Sequence, residues 1–374
     1  MSVLTRTQAF RAPRAVAGSA LKERLIVLGA EHRTPGKLEL IGREESPQDF
    51  ANYTRSPGQN AAIEAVLAGG KTRRLAAPAA ILARHWKRKN SVEEAMLELY
   101  HAAVSAAKAD EMARLLWGDG AGIALVSECC REISQRISAW LQRKIPEPQV
   151  YVFFQTVAVK QKINAENRVS QLVAAIGVNR AGIRQGLAVA DASTAEGLWD
   201  RLLLDLKRRG LREAELFVGA NDPAAHAAVA RHFPAARYQG CLAHLQRDAL
   251  AKVPVTEVHS LMMAFDRLGR HTSEPLALAE AADLVARLRK ARLTEVADLV
   301  GQCAEFQFSY LRFPASHWGR LHDIEPLKNV LSEFREHVRL IGPVSSDEAL
   351  ILMIAARMRH VSRVLWARRR YINF

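Results

Sequence analysis

YVFFQTVAVK (Tyr151–Lys160), LVAAIGVNRAGIRQGLAVADAS (Leu172–Ser193), ELFVGAND (Glu215–Asp222) and CLAHLQRDAL (Cys241–Leu250) decide how this chain folds. The first is β-branched and aromatic, and Val150–Val159 reads as a strand. Asn164–Asn167 reads as a turn, Arg168–Val178 as the second strand of a hairpin, and Ile183–Ala190 as a third strand. Thr194–Arg209 has Leu198, Trp199, Leu202 and Leu206 at helical spacing. Lys207, Arg208 and Arg209 follow at its end, where cations suit the helix dipole, and Gly210 stops it. Leu216–Val218 is a short strand expected parallel to the first, and Pro223–Arg231 the next helix.

Three antiparallel strands, a helix, a parallel strand and a second helix give the element order of an α/β, ribonuclease-H-like core. Two of its strand ends are places where metal-binding carboxylates are expected, and neither carries one.

Outward from this stretch, Cys241–Ala304 reads as an all-helical block: His244–Leu250, Val258–Leu268, Pro275–Ala291 and Leu293–Cys303. Phe313–Trp318 reads as a turn, Glu325–Leu340 as a charged helix broken by Gly342 and Pro343, and Ser346–Trp366 as a last helix. Upstream, Asn90 or Ser91 caps a helix, Ala106–Trp117 forms a second, and Ile123–Leu141 a third. Short helix, turn and longer helix fit a helix-turn-helix, which any small helical bundle also imitates. The domain reading is therefore a basic N-terminal region at 1–89, a helix-turn-helix-like domain at 90–147, a first part of the core at 148–240, a helical insertion at 241–312, and C-terminal helices at 313–374 that complete the core.

The net charge of +14 points to a polyanionic partner, double-stranded DNA above all, though charge confers affinity without sequence choice. Candidate phosphate contacts are Arg84, Lys87, Arg88 and Lys89 before the first helix, Arg131 and Arg136 on the third, and Arg363, Arg368, Arg369 and Arg370 at the end. Four cysteines without framework spacing suggest a reducing compartment, and no apolar run has the length of a membrane span. A cytoplasmic, nucleoid-associated protein without a membrane partner is expected.

Several separated blocks resemble one family, the Mutator-type transposases of bacterial insertion sequences. They are SVEEAMLELY (Ser91–Tyr100), Leu116-Trp117-Gly118, AIGVN (Ala175–Asn179), Trp199 with Leu206-Lys207-X-X-Gly210-Leu211, and Phe233-Pro234. Gln239-X-Cys241-X-X-His244-X-X-Arg247, Phe313-Pro314-X-X-His317-Trp318, Arg339-X-X-Gly342 and Arg369-Arg370-Tyr371-Ile372-Asn373 follow in the family's order. The resemblance implies DNA strand cleavage and transfer by two Asp and one Glu holding paired divalent metals. Gln155 stands in the place of the first Asp, Ala220 of the second, and Lys328 of the Glu.

An amide, a methyl and an ammonium offer Mg²⁺ none of the hard anionic oxygens it takes, so no cofactor is expected. Asp222 and Glu325, with Asp191, are the neighbouring carboxylates considered as surrogates, and none replaces Gln155. Mg²⁺ belongs only to the alternative reading, an active transposase. The first reading is a catalytically inactive, transposase-like DNA-binding protein, a regulator or a decaying insertion-sequence copy. A third is a non-catalytic subunit that joins an active transposase. Homo-oligomers are expected. Cys241 and His244 lack a second ligand pair at zinc spacing and read as structural, as do Arg247 and Trp318, and no metal site is assigned.

Overall fold

The computed structural model describes residues 92–101, 109–111, 123–163, 166–344 and 346–374. Its elements are, in order, α1 (Val92–His101), α2 (Ile123–Gln142), β1 (Gln149–Ile163), β2 (Glu166–Asn179), β3 (Arg184–Asp191), α3 (Leu198–Arg208), β4 (Leu216–Gly219), α4 (Pro223–His232) and β5 (Arg237–Gly240). The second half is helical: α5 (Leu242–Leu250), α6 (Val255–Leu268), α7 (Glu274–Lys290), α8 (Thr294–Gln307), α9 (Ala315–Leu321), α10 (Glu325–Ile341) and α11 (Asp347–Val361). The fold is mixed α/β, mostly helical, with one five-stranded sheet in the order β3-β2-β1-β4-β5.

Packing divides the chain into two units. One takes residues up to 142 with 159–170 and 332–365, and the other 143–158, 171–331 and 366–374. In the second, β1 is the middle strand, which explains its unbroken apolar run: Tyr151, Val152, Phe153 and Phe154 are all buried. The two faces have different covers. Phe154 stacks on Phe217 at 5.5 Å and meets Trp199 of α3 at 5.5 Å, while Phe217 meets Phe233 beyond α4 at 4.9 Å. On the other face Tyr151 meets Phe313 at 5.5 Å and Phe374 at 5.3 Å, and Phe153 meets Tyr371 at 6.1 Å. The helical block packs through α8 on α5, α7 and β5.

In the first unit α1, α2 and α11 pack on one another. Cys130, Ile133 and Ile137 are buried at helical spacing on α2. Buried ionisable side chains face one another here: His337 Nε2 lies 3.1 Å from the Glu98 carboxylate, and Arg357 is 3.8 Å from Glu94 and 2.9 Å from Glu333. Arg168 and Ser170 both bond the Asp347 carboxylate at the start of α11.

Some elements differ from the sequence reading. The first three strands and β4 stand where expected, β4 parallel to β1. The helix expected from Thr194 begins at Leu198, because Gly197 takes a left-handed φ of 64° at its N-cap. Phe313–Trp318 is a turn only at its start. Pro314 then caps α9, where its fixed φ and missing N–H are no handicap. The last helix ends at Val361, and Ser362–Trp366 winds on as a π turn. A fifth strand, β5, was not expected: four residues ending in Gly carry no periodic signal, and pairing with β4 creates it. Of the helix expected over Ala106–Trp117, Ala109–Glu111 are helical and the rest lies outside the described residues.

Candidate functional site

The parallel register of β1 and β4 runs Tyr151↔Leu216, Val152↔Phe217, Phe153↔Val218. Carried two residues further, it brings Gln155 level with Ala220, just past the end of β4. Alternation along each strand puts both on the face of Tyr151 and Phe153. The carboxyl ends of adjacent parallel strands are where α/β sheets hold ligands. Gln155 is half-buried, and its carboxamide oxygen is buried without a hydrogen-bond partner among the described residues.

The loop after β4 is pinned. The Ala220 carbonyl accepts from the Tyr238 hydroxyl at 2.6 Å and the Asp222 N–H at 2.9 Å. Asn221 donates to the Cys241 carbonyl at 3.1 Å and accepts from the Gln307 amide. Asp222 caps α4, accepting from the Ala224 N–H at 2.8 Å, and its other oxygen accepts from the Trp199 indole at 2.6 Å. Trp199 is itself buried against Phe154. Asp191 turns to its own loop, bonding Ser193.

Lys328 is exposed in the first turns of α10, and the exposed Glu325 pairs with Arg320 at 3.4 Å. Cys241 begins α5, buried, with its N–H on the Gly219 carbonyl at 2.8 Å. Burial lifts its thiol above the ordinary range, where it stays protonated. One turn on, the half-buried His244 leaves Nδ1 without a hydrogen-bond partner among the described residues. Burial lowers its pKa, and the charges of Arg247 and Lys328 push the same way. The Leu242 N–H bonds the His322 carbonyl at 3.2 Å, tying the starts of α5 and α10 to one region.

Gln239 has a role that the sequence did not reveal. Fully buried, it donates to the Gln307 carbonyl at 2.7 Å and accepts from the Tyr310 N–H at 2.9 Å, which locks β5 to the end of α8. Trp318 is half-buried and donates to the Phe313 carbonyl at 2.7 Å. His317 bridges the Tyr151 hydroxyl and the Asn373 carbonyl, both at 2.8 Å.

A family model described as "Transposase, Mutator family" matches residues 67–364. The chain belongs to the Mutator family of transposases. Among its relatives in that family is the transposase for insertion sequence element ISRM5 of Rhizobium meliloti (strain 1021), 23% identical over 297 residues that are 78% of this chain and 73% of the relative. The transposase for IS406 of Burkholderia multivorans (strain ATCC 17616 / 249) is 25% identical over 298 residues, 76% of this chain and 74% of the relative. That for IS6120 of Mycolicibacterium smegmatis is 27% identical over 227 residues, 57% of this chain and 68% of the relative.

A Mutator transposase is expected to hold divalent metal, and the residues present do not fit one. The level pair is an amide and a methyl, Lys328 brings a positive charge, and Asp222 has both oxygens bonded. Among the described residues no group of three His, Cys, Asp or Glu side chains is placed to hold an ion. Of the expected phosphate contacts, Arg84, Lys87, Arg88 and Lys89 lie outside the described residues. Arg131 is exposed on α2 and Arg136 half-buried, while Arg363, Arg368, Arg369 and Arg370 are all exposed. Among the described residues no helix is long and apolar enough to cross a membrane.

Proposed function

We propose that this chain is a DNA-binding member of the Mutator family that does not cleave or join strands. The observation that carries the reading is that Gln155, in the middle of β1, and Ala220, just past the end of β4, follow the paired stretches of two adjacent parallel strands and neither is a carboxylate. In a ribonuclease-H-like core, which the sheet order and the flanking helices support, that is where metal-holding carboxylates belong. Neither residue supplies an anionic oxygen, and the nearby Asp222 is engaged through both oxygens, one capping α4 and the other accepting from Trp199.

DNA is the partner that the basic charge and the exposed C-terminal arginines favour. In this reading α1 and α2 belong to a helix-turn-helix-like domain and 241–312 is an insertion into the core. The full chain is incubated with duplexes carrying the terminal repeats of related insertion sequences, in Mg²⁺ and in Mn²⁺. Retarded but intact DNA at low salt is expected. A nicked or joined product overturns the inactive reading, and no retardation at low salt overturns the DNA-binding one.

A further inference from the structure

Arg184, the first residue of β3, lies between two rings. Its guanidinium carbon is 5.1 Å from the Trp366 ring centre and 4.9 Å from that of Tyr371. Arg320 of α9 approaches the same Tyr371 ring at 5.1 Å. Tyr371 is held in place by its N–H on the Gly182 carbonyl at 2.8 Å and its hydroxyl on the Arg320 carbonyl at 3.2 Å.

Stacking alone explains why Arg184 pins the C-terminal segment to β3. It does not explain what the guanidinium donates to. The Arg184 side chain makes no hydrogen bond or ion pair among the described residues, and its Nε is buried. Burial chiefly lowers its pKa, and the neighbouring charges of Arg320 and Arg369 lower it further. Opposing them are the Tyr371 hydroxyl and Glu325, which is already paired with Arg320 at 3.4 Å. A guanidinium stacked on aromatic faces keeps its donors in plane, in the fork that suits a phosphate. Arg184 leaves that fork unused, while Arg320 beside it shares its charge with the exposed Glu325. The cluster also borders the corner described above, because Phe153, which meets Tyr371 at 6.1 Å, lies two residues before Gln155 on the same face.

We infer that Arg184, Arg320 and Arg369, organised by Tyr371 and Trp366, form a phosphate site that takes the backbone of duplex DNA beside the Gln155–Ala220 corner. This rests on the reading of the chain as a DNA-binding protein. It adds Arg184 and Arg320, which sit alone in the sequence among uncharged or mixed neighbours, to the C-terminal arginines.

The test follows binding of a labelled duplex to the full chain across a potassium chloride series, by fluorescence anisotropy. Arg320→Ala and Arg369→Ala change exposed side chains, and Arg184→Gln removes the stacked one. Each is expected to lower the slope of log affinity against log salt by about 0.9, the value for one lost phosphate contact. Arg289→Ala, on the helical block, is expected to leave the slope unchanged. Unchanged slopes for Arg320→Ala and Arg369→Ala, or an equal drop for Arg289→Ala, overturn the phosphate site while leaving DNA binding intact. No binding by the unaltered chain overturns both.

Discussion

The Trp199 indole N–H donates to Asp222 at 2.6 Å while the other Asp222 oxygen caps α4. The one carboxylate in the β4 loop is thus a structural tie between α3 and α4. Asp222→Ala removes a cap and leaves a buried indole donor unpaired, and a loss of about 1–3 kcal/mol in urea unfolding is expected. Asp222→Asn keeps an acceptor for one of the two donors and turns its own NH2 on the other, so part of this stability is expected to be lost as well. Unchanged unfolding of Asp222→Ala would contradict a structural tie.

Acid is expected to weaken the fold in two stages. His244 has its pKa lowered by burial from the ordinary 6.5, so the unfolded chain takes up that proton first. Its share of stability is full above the ordinary imidazole value and falls as the pH drops towards the lowered one. Hydrogen bonds from Arg231 and His232 hold Asp200 below 3.8, and those from Arg267 and His271 hold Glu280 below 4.5. These depressed carboxylates have the same sign, and their share is lost at lower pH. Thermal melts of His244→Asn against pH check this: the first stage is expected to shrink and the second to remain.

Gly182 turns the chain into β3 with φ of 77°, and a Cβ there would lie 1.9 Å from the Ile372 carbonyl oxygen. Gly182→Ala therefore forces a left-handed alanine, about 1–2 kcal/mol, and pushes the C-terminal segment off its seat. A lower melting temperature and weaker duplex binding are expected together. Weaker melting with unchanged binding would show that the seat of Tyr371 does not matter for DNA.

The central strands were legible because Val150–Phe154 of β1 are buried on both faces, and a segment so placed must be apolar. The helical block was legible because Ala264, Leu261, Leu284 and Leu288 recur at helical spacing and are buried. β5 was not, since Arg237–Gly240 is a strand only through its partner β4. Nor was the cluster at Tyr371: Arg184, Arg320 and Arg369 are far apart in sequence, and only the return of the C-terminal segment to Gly182 brings them together. The corner itself lay between these cases. The family motifs marked Gln155, Ala220 and Lys328, but the levelling of Gln155 with Ala220 comes from strand register, and the commitment of Asp222 from side-chain geometry.

The most direct test is a calorimetric Mn²⁺ titration of the unaltered chain beside a variant with Gln155→Asp, Ala220→Asp and Lys328→Glu. With carboxylates restored at the corner, the variant is expected to bind Mn²⁺ and the unaltered chain to give no heat of binding. Equal Mn²⁺ binding by both would contradict the claim that this corner has lost its metal.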